Sequence, residues 1–436
     1  MSTAVALTSD LDRAPGLALV PAPAPAARAA ASATRTTTAV VTGIGVAAPG
    51  GLGTEAWWEA VLNSVSGIRE ISRFDASGYP VRIAGEVPGF VDAEHVSDRL
   101  LPQTDRVTRL ALAAAREAVS DTGADLAQLP QYGAGVVTAS SAGGFEFGQR
   151  ELQALWSKGS QHVSAYQSFA WFNAVNTGQI SIQHGMRGAS GVIVSEQAGG
   201  LDAAAQARRQ IRKGARLVIT GGIDSALCPW GWAAHLAGGG LSANPEADRA
   251  YRPFDADADG HVVGEGGALL VLEDAEHARR RGAQVYGVLA GHAATFDGGG
   301  APRLTEAARL ALADAGAEPD DIDVVFADGA GERAADRAEA QTITELFGPR
   351  GVPVTVPKSM SGRLLAGGSA LDLAAALLSL RDQVIPPTTG TRRVAEDCPV
   401  DLVTGAPRRG VRLRGALVLA RGRGGFNSAV VVRATD

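Results

Sequence analysis

The chain has very little cysteine and few aromatic side chains. Its 436 residues include two cysteines, Cys228 and Cys398, and aromatic residues make up 5% of the sequence. Two cysteines without Cys-x-x-Cys spacing cannot form a disulfide framework. A reducing, cytoplasmic location is therefore the expected one.

The sequence also lacks a long uninterrupted hydrophobic run and an excess of positive charge. The most apolar early stretch, residues 16–33, contains three prolines and an arginine, which exclude a membrane-spanning helix. Asp10 and Asp12 stand where a signal peptide needs basic residues. The 40 basic and 46 acidic side chains give a net charge of −6. We therefore expect neither a membrane nor a nucleic acid as a partner.

Small residues are abundant, with 55 glycines, while hydrophobic residues make up 45% and charged residues 20% of the chain. This composition is typical of globular proteins. Residues 1–37 are rich in alanine and proline and are predicted to form a disordered leader. The alternative, an ordered arm that lies on a partner, remains open.

Strand and helix patterns alternate along the rest of the chain. Strands are predicted at residues 38–45, 133–140, 191–195 and 216–222, and helices at 105–120 and 201–212. This alternation predicts a layered α/β fold with a mostly parallel sheet. Gly43 and Gly45 at the end of the first predicted strand resemble a dinucleotide-binding turn, so a nucleotide-binding dehydrogenase is an alternative, but the residues that follow do not open a helix.

The chain contains an internal repeat. Residues 115–124 and 308–317 are identical at six of ten positions, with an offset of 193 residues (308 minus 115). Each copy predicts a helix that ends in Asp-x-Gly-Ala and is followed by a hydrophobic strand. The repeat predicts two similar halves, residues 38–275 and 276–436, with a cleft between them.

Three segments carry motifs that are specific in combination. RPFDADADGHVVGEGGA begins at Arg252, DGAGE at Asp328 and KSMSGRLLAG at Lys358. They resemble the RPFDxxxDGxVxGEG, HGTGT and KSxxGHxxGA segments of the β-ketoacyl synthases. The resemblance extends over about residues 38–433 and implies a thiolase-like fold, with two duplicated halves in a layered αβαβα arrangement.

The departures from this family concern the reacting groups. The resemblance implies a cysteine nucleophile at a strand-to-helix elbow and two histidines that support decarboxylation and stabilise an enolate. This chain has Gln197 at the elbow, and Asp328 and Arg363 at the histidine positions. It should therefore not carry out the Claisen condensation with its own residues. It is better interpreted as a subunit of an acyltransferase complex with a degenerate site.

Asp328 and Arg363 are expected to face each other as a bidentate ion pair, because the two histidines they replace converge on one pocket. Lys358 matches the family's lysine and is expected to join this network. The alternative is that Asp328 and Arg363 are two unrelated surface charges.

Glutamine at the elbow, SFAWFNAVNTGQIS from Ser168 and PWGW from Pro229 are similar to the chain length factor, the ketosynthase β subunit of type II aromatic polyketide synthases. The resemblance implies a heterodimer with the cognate ketosynthase α subunit, built on a strand near residues 191–194. It also implies that an acyl carrier protein brings the poly-β-ketoacyl intermediate to a tunnel at the interface. Phosphopantetheine arrives on that carrier, and this chain is expected to need no cofactor.

Four residues match positions that the family uses as the gate of this tunnel: Phe145, Gly148, Leu152 and Trp230. If residues 145–152 are helical, the first three lie on one face. The small side chains at two of these positions predict a deep tunnel and a product at the long end of the family's range. The alternative is that these are ordinary core residues.

Other interpretations remain open. Gln197, alone or with Lys358, is an alternative site for decarboxylation of malonyl-acyl carrier protein, and a purely structural subunit is another possibility. Asp255 and the alternating aspartates after it are similar to a calcium loop, but the twelfth position is Gly266 instead of glutamate. We therefore expect no metal.

Overall fold

The computed structural model describes residues 37–435, so the predicted leader lies outside the described residues except for Thr37. The strands are β1 Ala39–Ala48, β2 Gly51–Leu52, β3 Ile68–Glu70, β4 Ile83–Gly85, β5 Ala134–Ala139, β6 Ser190–Ile193, β7 Leu217–Asp224, β8 Gly266–Asp274, β9 Gly287–Phe296, β10 Val324–Phe326, β11 Pro353–Thr355, β12 Val384–Ile385, β13 Asp401–Leu402, β14 Arg408–Arg409, β15 Gly415–Gly422 and β16 Phe426–Arg433. The helices are α1 Thr54–Leu62, α2 Asp92–His95, α3 Arg106–Thr122, α4 Phe145–Lys158, α5 Gln167–Ala170, α6 Val175–Gln183, α7 Gly199–Arg212, α8 Pro229–Gly238, α9 Ala275–Arg280, α10 Leu304–Ala315, α11 Arg333–Phe347 and α12 Ala366–Asp382.

The main sheet consists of two half-sheets with the same topology. The first has the strand order β6-β5-β7-β8-β1 and the second β11-β10-β15-β16-β9, with β13 added beyond β11. The halves join where β1 meets β9 in only two residue pairs, Val40 with Val288 and Val41 with Gly287. The same order of strands in both halves confirms the duplicated α/β fold.

The prediction of a mostly parallel sheet is wrong. The first half has three parallel strands and the second has four, counting β13, and in each half the last two strands run antiparallel to their neighbours. The reason is clearest at β15 and β16, which are joined by residues 423–425. Gly424 and Gly425 have φ of +86° and +99° there, and this tight turn reverses the chain direction.

The glycines of the first strand do not form a turn either. Gly43 and Gly45 lie inside β1, where helix α3 packs against the strand backbone. A Cβ on Gly45 would be 2.0 Å from the carbonyl oxygen of Ala114, so only glycine allows this close approach. The nucleotide-binding alternative is therefore not supported.

Helices α7 and α12 form the middle layer and contact strands of both half-sheets, whereas α3 and α10 cover the outer faces. Every residue of α12 from Ala366 to Leu380 is buried, as expected for a helix enclosed on all sides. A Cβ on Gly200 would be 2.5 Å from the backbone nitrogen of Ala370, so the two helices are in close contact near their N-termini. The segments that lead into α7 and α12 therefore lie side by side.

Candidate functional site

The elbow between β6 and α7 contains Gln197, whose side chain is buried. With its amide nitrogen toward the carbonyl of Leu365 and its oxygen toward the N–H of Leu365, both hydrogen bonds measure 3.1 Å. The backbone N–H of Gln197 donates to Glu196 Oε2 at 2.8 Å. Both the side-chain oxygen and the side-chain nitrogen of Gln197 thus have partners within the protein, and an amide is not a nucleophile.

The elbow ties the N-terminal half to the C-terminal half. Leu365, which precedes α12, has φ of +51°, and Glu196 has φ of +52°, so both residues adopt a conformation that costs energy for a residue with a side chain. Gln197 holds the backbone of Leu365, and Glu196 Oε2 accepts the N–H of Arg423 at 2.8 Å. Two consecutive elbow residues therefore reach across to two segments of the other half.

The predicted ion pair is present. Arg363 Nη1 lies 2.9 Å from Asp328 Oδ2, and Arg363 Nη2 lies 3.2 Å from Asp328 Oδ1, so the contact is bidentate. Both side chains are buried. Arg363 Nη2 also donates to the carbonyl oxygen of Arg421 at 3.1 Å. These contacts rule out the alternative of two unrelated surface charges.

Lys358 joins this network, as predicted. Its Nζ atom lies 2.5 Å from Asp372 Oδ2 and 3.9 Å from Asp328 Oδ1. It also donates to the carbonyl oxygen of Asp328 at 3.1 Å. The two buried cations are therefore matched by two buried carboxylates.

Asp328 and Arg363 both keep their charges at neutral pH. Burial alone would raise the pKa of Asp328, but Arg363 and Lys358 outweigh burial and hold that pKa below its usual value. Burial opposes the charge of Arg363, but Asp328 keeps the pKa of Arg363 well above its usual value. Neither group can therefore exchange protons as a neutral imidazole does.

Two further buried carboxylates hold the loop that carries Asp328. Glu339 accepts the backbone N–H groups of Asp328 and Gly329 at 2.7 and 2.8 Å. Asp336 accepts the N–H groups of Phe254 and Gly331 at 2.8 and 3.0 Å. Burial raises the pKa of each carboxyl to about 7. Neither residue was predicted from the sequence, although their spacing of three places them on one face of α11.

Two cavities meet at this network. A cleft of about 400 Å³ is lined by Asp328 and Arg363, and a smaller cavity of about 70 Å³ is lined by Gln197 and Arg363. His235 and His261 also line the smaller cavity, and the sequence analysis did not place them there. Burial lowers the pKa of both, that of His235 to about 4. Within residues 37–435, no group of three or more potential ligands could hold a metal ion.

The four predicted gate residues line neither cavity and lie on α4 and α8. The ring centroids of Phe145 and Trp230 are 4.7 Å apart. A Cβ on Gly148 would be 3.1 Å from Trp230 Cζ3, so the ring of Trp230 lies directly over this glycine. Leu152 is half-buried one turn further along α4. Phe145, Gly148 and Trp230 thus form a cluster separate from Gln197.

Large apolar side chains are exposed between residues 145 and 194 and at Trp230. Trp156 is 78% exposed and Trp230 44% exposed, and Trp171, Phe172, Ile182 and Val194 are also exposed. Strand β6 is the edge strand of the first half-sheet. An apolar surface beside an open sheet edge is typical of a site of protein association. None of the helices in the described part of the chain is long and apolar enough to cross a bilayer.

Comparison with known proteins identifies the family. Residues 37–278 match the Beta-ketoacyl synthase, N-terminal domain, and residues 286–392 match the Beta-ketoacyl synthase, C-terminal domain. The chain therefore belongs to the β-ketoacyl synthase family. Its fold is accordingly the thiolase-like fold that the motifs implied.

Individual relatives define the branch of the family. The chain is 58% identical over 400 residues to the tetracenomycin polyketide synthase ketoacyl synthase beta subunit of Streptomyces glaucescens, covering 90% of this chain and 98% of that relative. The solved ishigamide ketosynthase/chain length factor is 29% identical, with a TM-score of 0.85, 92% of this chain and 100% of that chain covered. A second structure, a type II polyketide synthase acyl-carrier protein in complex with its ketosynthase bound to the hexaketide, is 26% identical, with a TM-score of 0.83 and the same coverage. This chain is thus a ketosynthase β subunit, or chain length factor, of the type II polyketide synthases.

Removing one partner of the buried ion pair should be costly. We expect Asp328→Ala to lower the free energy of unfolding by about 3–5 kcal/mol, because Arg363 is left as an uncompensated buried charge. Denaturant unfolding measures this loss. The control, Asp257→Ala, breaks an ion pair with Arg393 whose side chains are 63% and 73% exposed, and should cost less than about 1 kcal/mol. Equal losses in the two variants would contradict the burial described.

The raised pKa of Asp336 predicts a stability that decreases with pH. Because its pKa is about 7 in the folded protein against an ordinary 3.8, the folded state binds this proton more tightly. The contribution to stability should be present below about pH 4 and lost as the pH rises through about 7, by on the order of 4 kcal/mol. Unfolding of the wild type and of Asp336→Asn across this range tests the prediction. A constant difference between the two proteins would contradict it.

Proposed function

We propose that this chain is the non-nucleophilic subunit of a heterodimer with an active ketosynthase, and that it sets the length of the poly-β-ketone made by the pair. The proposal rests on one observation above all. The elbow holds an amide whose oxygen and nitrogen are both hydrogen-bonded to Leu365, and the two histidine positions hold a buried ion pair. Carbon–carbon bond formation is therefore assigned to the partner subunit.

The chemistry of condensation supports this division. A thiolate must attack a thioester, and free hydrogen-bond donors must stabilise the negative charge of the enolate. The Gln197 amide is not a nucleophile, and the carboxylate of Asp328 would repel an enolate. Arg363 already donates through Nη1 and Nη2 to Asp328 and through Nη2 to the carbonyl oxygen of Arg421, so the end of its guanidinium group is engaged.

The proposed interface lies along β6 and the exposed aromatic side chains near it. An unpaired edge strand can continue a sheet into a second subunit, and side chains such as Trp156 and Trp171 supply apolar area for a stable contact. In this proposal an acyl carrier protein delivers the growing chain on its phosphopantetheine arm. The chain itself then needs no cofactor, and the complex acts in the cytoplasm.

The proposed length control resides between α4 and α8. Gly148 carries no side chain, with Trp230 Cζ3 only 3.1 Å from where its Cβ would be, and Leu152 is smaller than an aromatic residue. A densely packed wall stops a growing chain where its side chains fill the space. The small residues at these two positions support a deep tunnel and a long product.

Filling the gate should shorten the product. In a synthase reconstituted with its ketosynthase and carrier protein, we expect Gly148→Thr with Leu152→Phe to shift the main product to fewer two-carbon units. Gly148→Ala should have a smaller effect, because it adds a single methyl group. Mass spectrometry of the products measures the shift. Variants that co-purify with the ketosynthase and change only the yield would instead support a purely structural subunit.

The alternative role for Gln197, malonyl decarboxylation, has the hydrogen bonds to Leu365 against it. We expect Gln197→Ala to leave malonyl decarboxylation by the heterodimer within about twofold, and to lower the free energy of unfolding by about 1–2 kcal/mol, because two hydrogen bonds are lost. Single-turnover release of carbon dioxide and denaturant unfolding measure the two quantities. A loss of decarboxylation of about a hundredfold without loss of stability would assign the catalytic role to Gln197.

A further inference from the structure

Helix α8 begins at the gate, and the residues at its start offer few hydrogen-bond acceptors for the backbone N–H groups of its first turn. Pro229, its first residue, has no N–H, and Cys228 before it offers only Sγ, which accepts from Gly231 at 3.4 Å. Sulfur is a weak acceptor, and burial raises the pKa of the Cys228 thiol to about 11, so the thiol stays neutral. The N–H of Trp230 therefore needs an acceptor from outside the helix.

That acceptor is Gln149 of helix α4. The backbone N–H of Trp230 donates to Gln149 Oε1 at 2.6 Å. Gln149 directly follows Gly148, the residue on which the Trp230 ring lies. One side chain of α4 thus caps α8 at the residue that forms the wall of the gate.

Each helix is also hydrogen-bonded to a different part of the protein. The N–H of Phe147 in α4 donates to Asp105 Oδ2 at 2.7 Å, and Trp232 Nε1 in α8 donates to the carbonyl oxygen of Val81 at 3.1 Å. Between residues 37 and 435, the bond from Trp230 to Gln149 is the only hydrogen bond that joins α4 to α8. The distance between the gate helices therefore depends on this bond, on the ring contact between Phe145 and Trp230, and on the missing side chain of Gly148.

We infer that Gln149 is a positioning residue for chain-length selection: it fixes Trp230 over Gly148 and so keeps the depth of the tunnel uniform from one molecule to the next. This inference rests on the proposed function, because it assumes that the gate sets product length. Gln149 need not touch the substrate. It acts through the backbone of Trp230.

The test compares two substitutions of nearly equal size. Gln149→Met keeps the length of the side chain but removes the acceptor, so we expect the ratio of the main product to the other chain lengths to fall about fivefold, as for the loss of one hydrogen bond. Gln149→Glu keeps an acceptor and should retain the wild-type ratio. Gln153→Met, at an exposed position of the same helix, is the matched control and should have no effect.

A further variant separates positioning from helix stability. Cys228→Ser gives α8 a stronger N-cap, so adding it to Gln149→Met should restore thermal stability, and also the yield of heterodimer if Gln149→Met alone folds poorly. The product ratio of this double variant should remain low, because the link between the helices is still missing. If the wild-type ratio returns together with stability, the positioning role is wrong.

The Gly148→Thr, Leu152→Phe variant distinguishes a failure of the inference about Gln149 from a failure of the proposed function. If that variant shortens the product while Gln149→Met leaves the product ratio unchanged, the inference about Gln149 fails and the proposed function stands. If neither variant changes product length in an intact heterodimer, both fail.

Discussion

The other residues of the degenerate site are arranged around the buried ion pair of Asp328 and Arg363. Taking two charges out of water is costly, and the cost is offset only where each charge has partners. Here Lys358 is balanced by Asp372, and the backbone around Asp328 is held by Glu339. Because these charges depend on one another, no single replacement can bring back the neutral imidazoles that condensation requires.

The elbow shows a second adaptation of the same kind. In an active ketosynthase this position must leave its nucleophile free to react, so it cannot be committed to structural contacts. In this chain Gln197 and Glu196 bond to Leu365 and Arg423 of the other half. Together with the close contact between α7 and α12, these bonds connect the two halves of the chain at the position where an active ketosynthase carries its nucleophile.

The sequence motifs predicted the ion pair and the participation of Lys358, because motif positions in a known fold imply which residues converge. The alternation of patterns also located α3, α7 and β5–β7. Strand direction was mispredicted, because antiparallel neighbours leave no local signature apart from a glycine turn. His235, Asp336 and Gln149 were missed, since they lie outside any motif and acquire their roles only through contacts with distant segments.

The exposure of Trp230 has a consequence for which subunit determines the length of the product. Its ring covers Gly148 and contacts Phe145, but 44% of its surface remains open in the single chain. In the proposed heterodimer, the molecule that covers this open side completes the enclosure. The size of the polyketide is then determined by both subunits together. The same chain, paired with ketosynthases from different pathways, would enclose spaces of different shape.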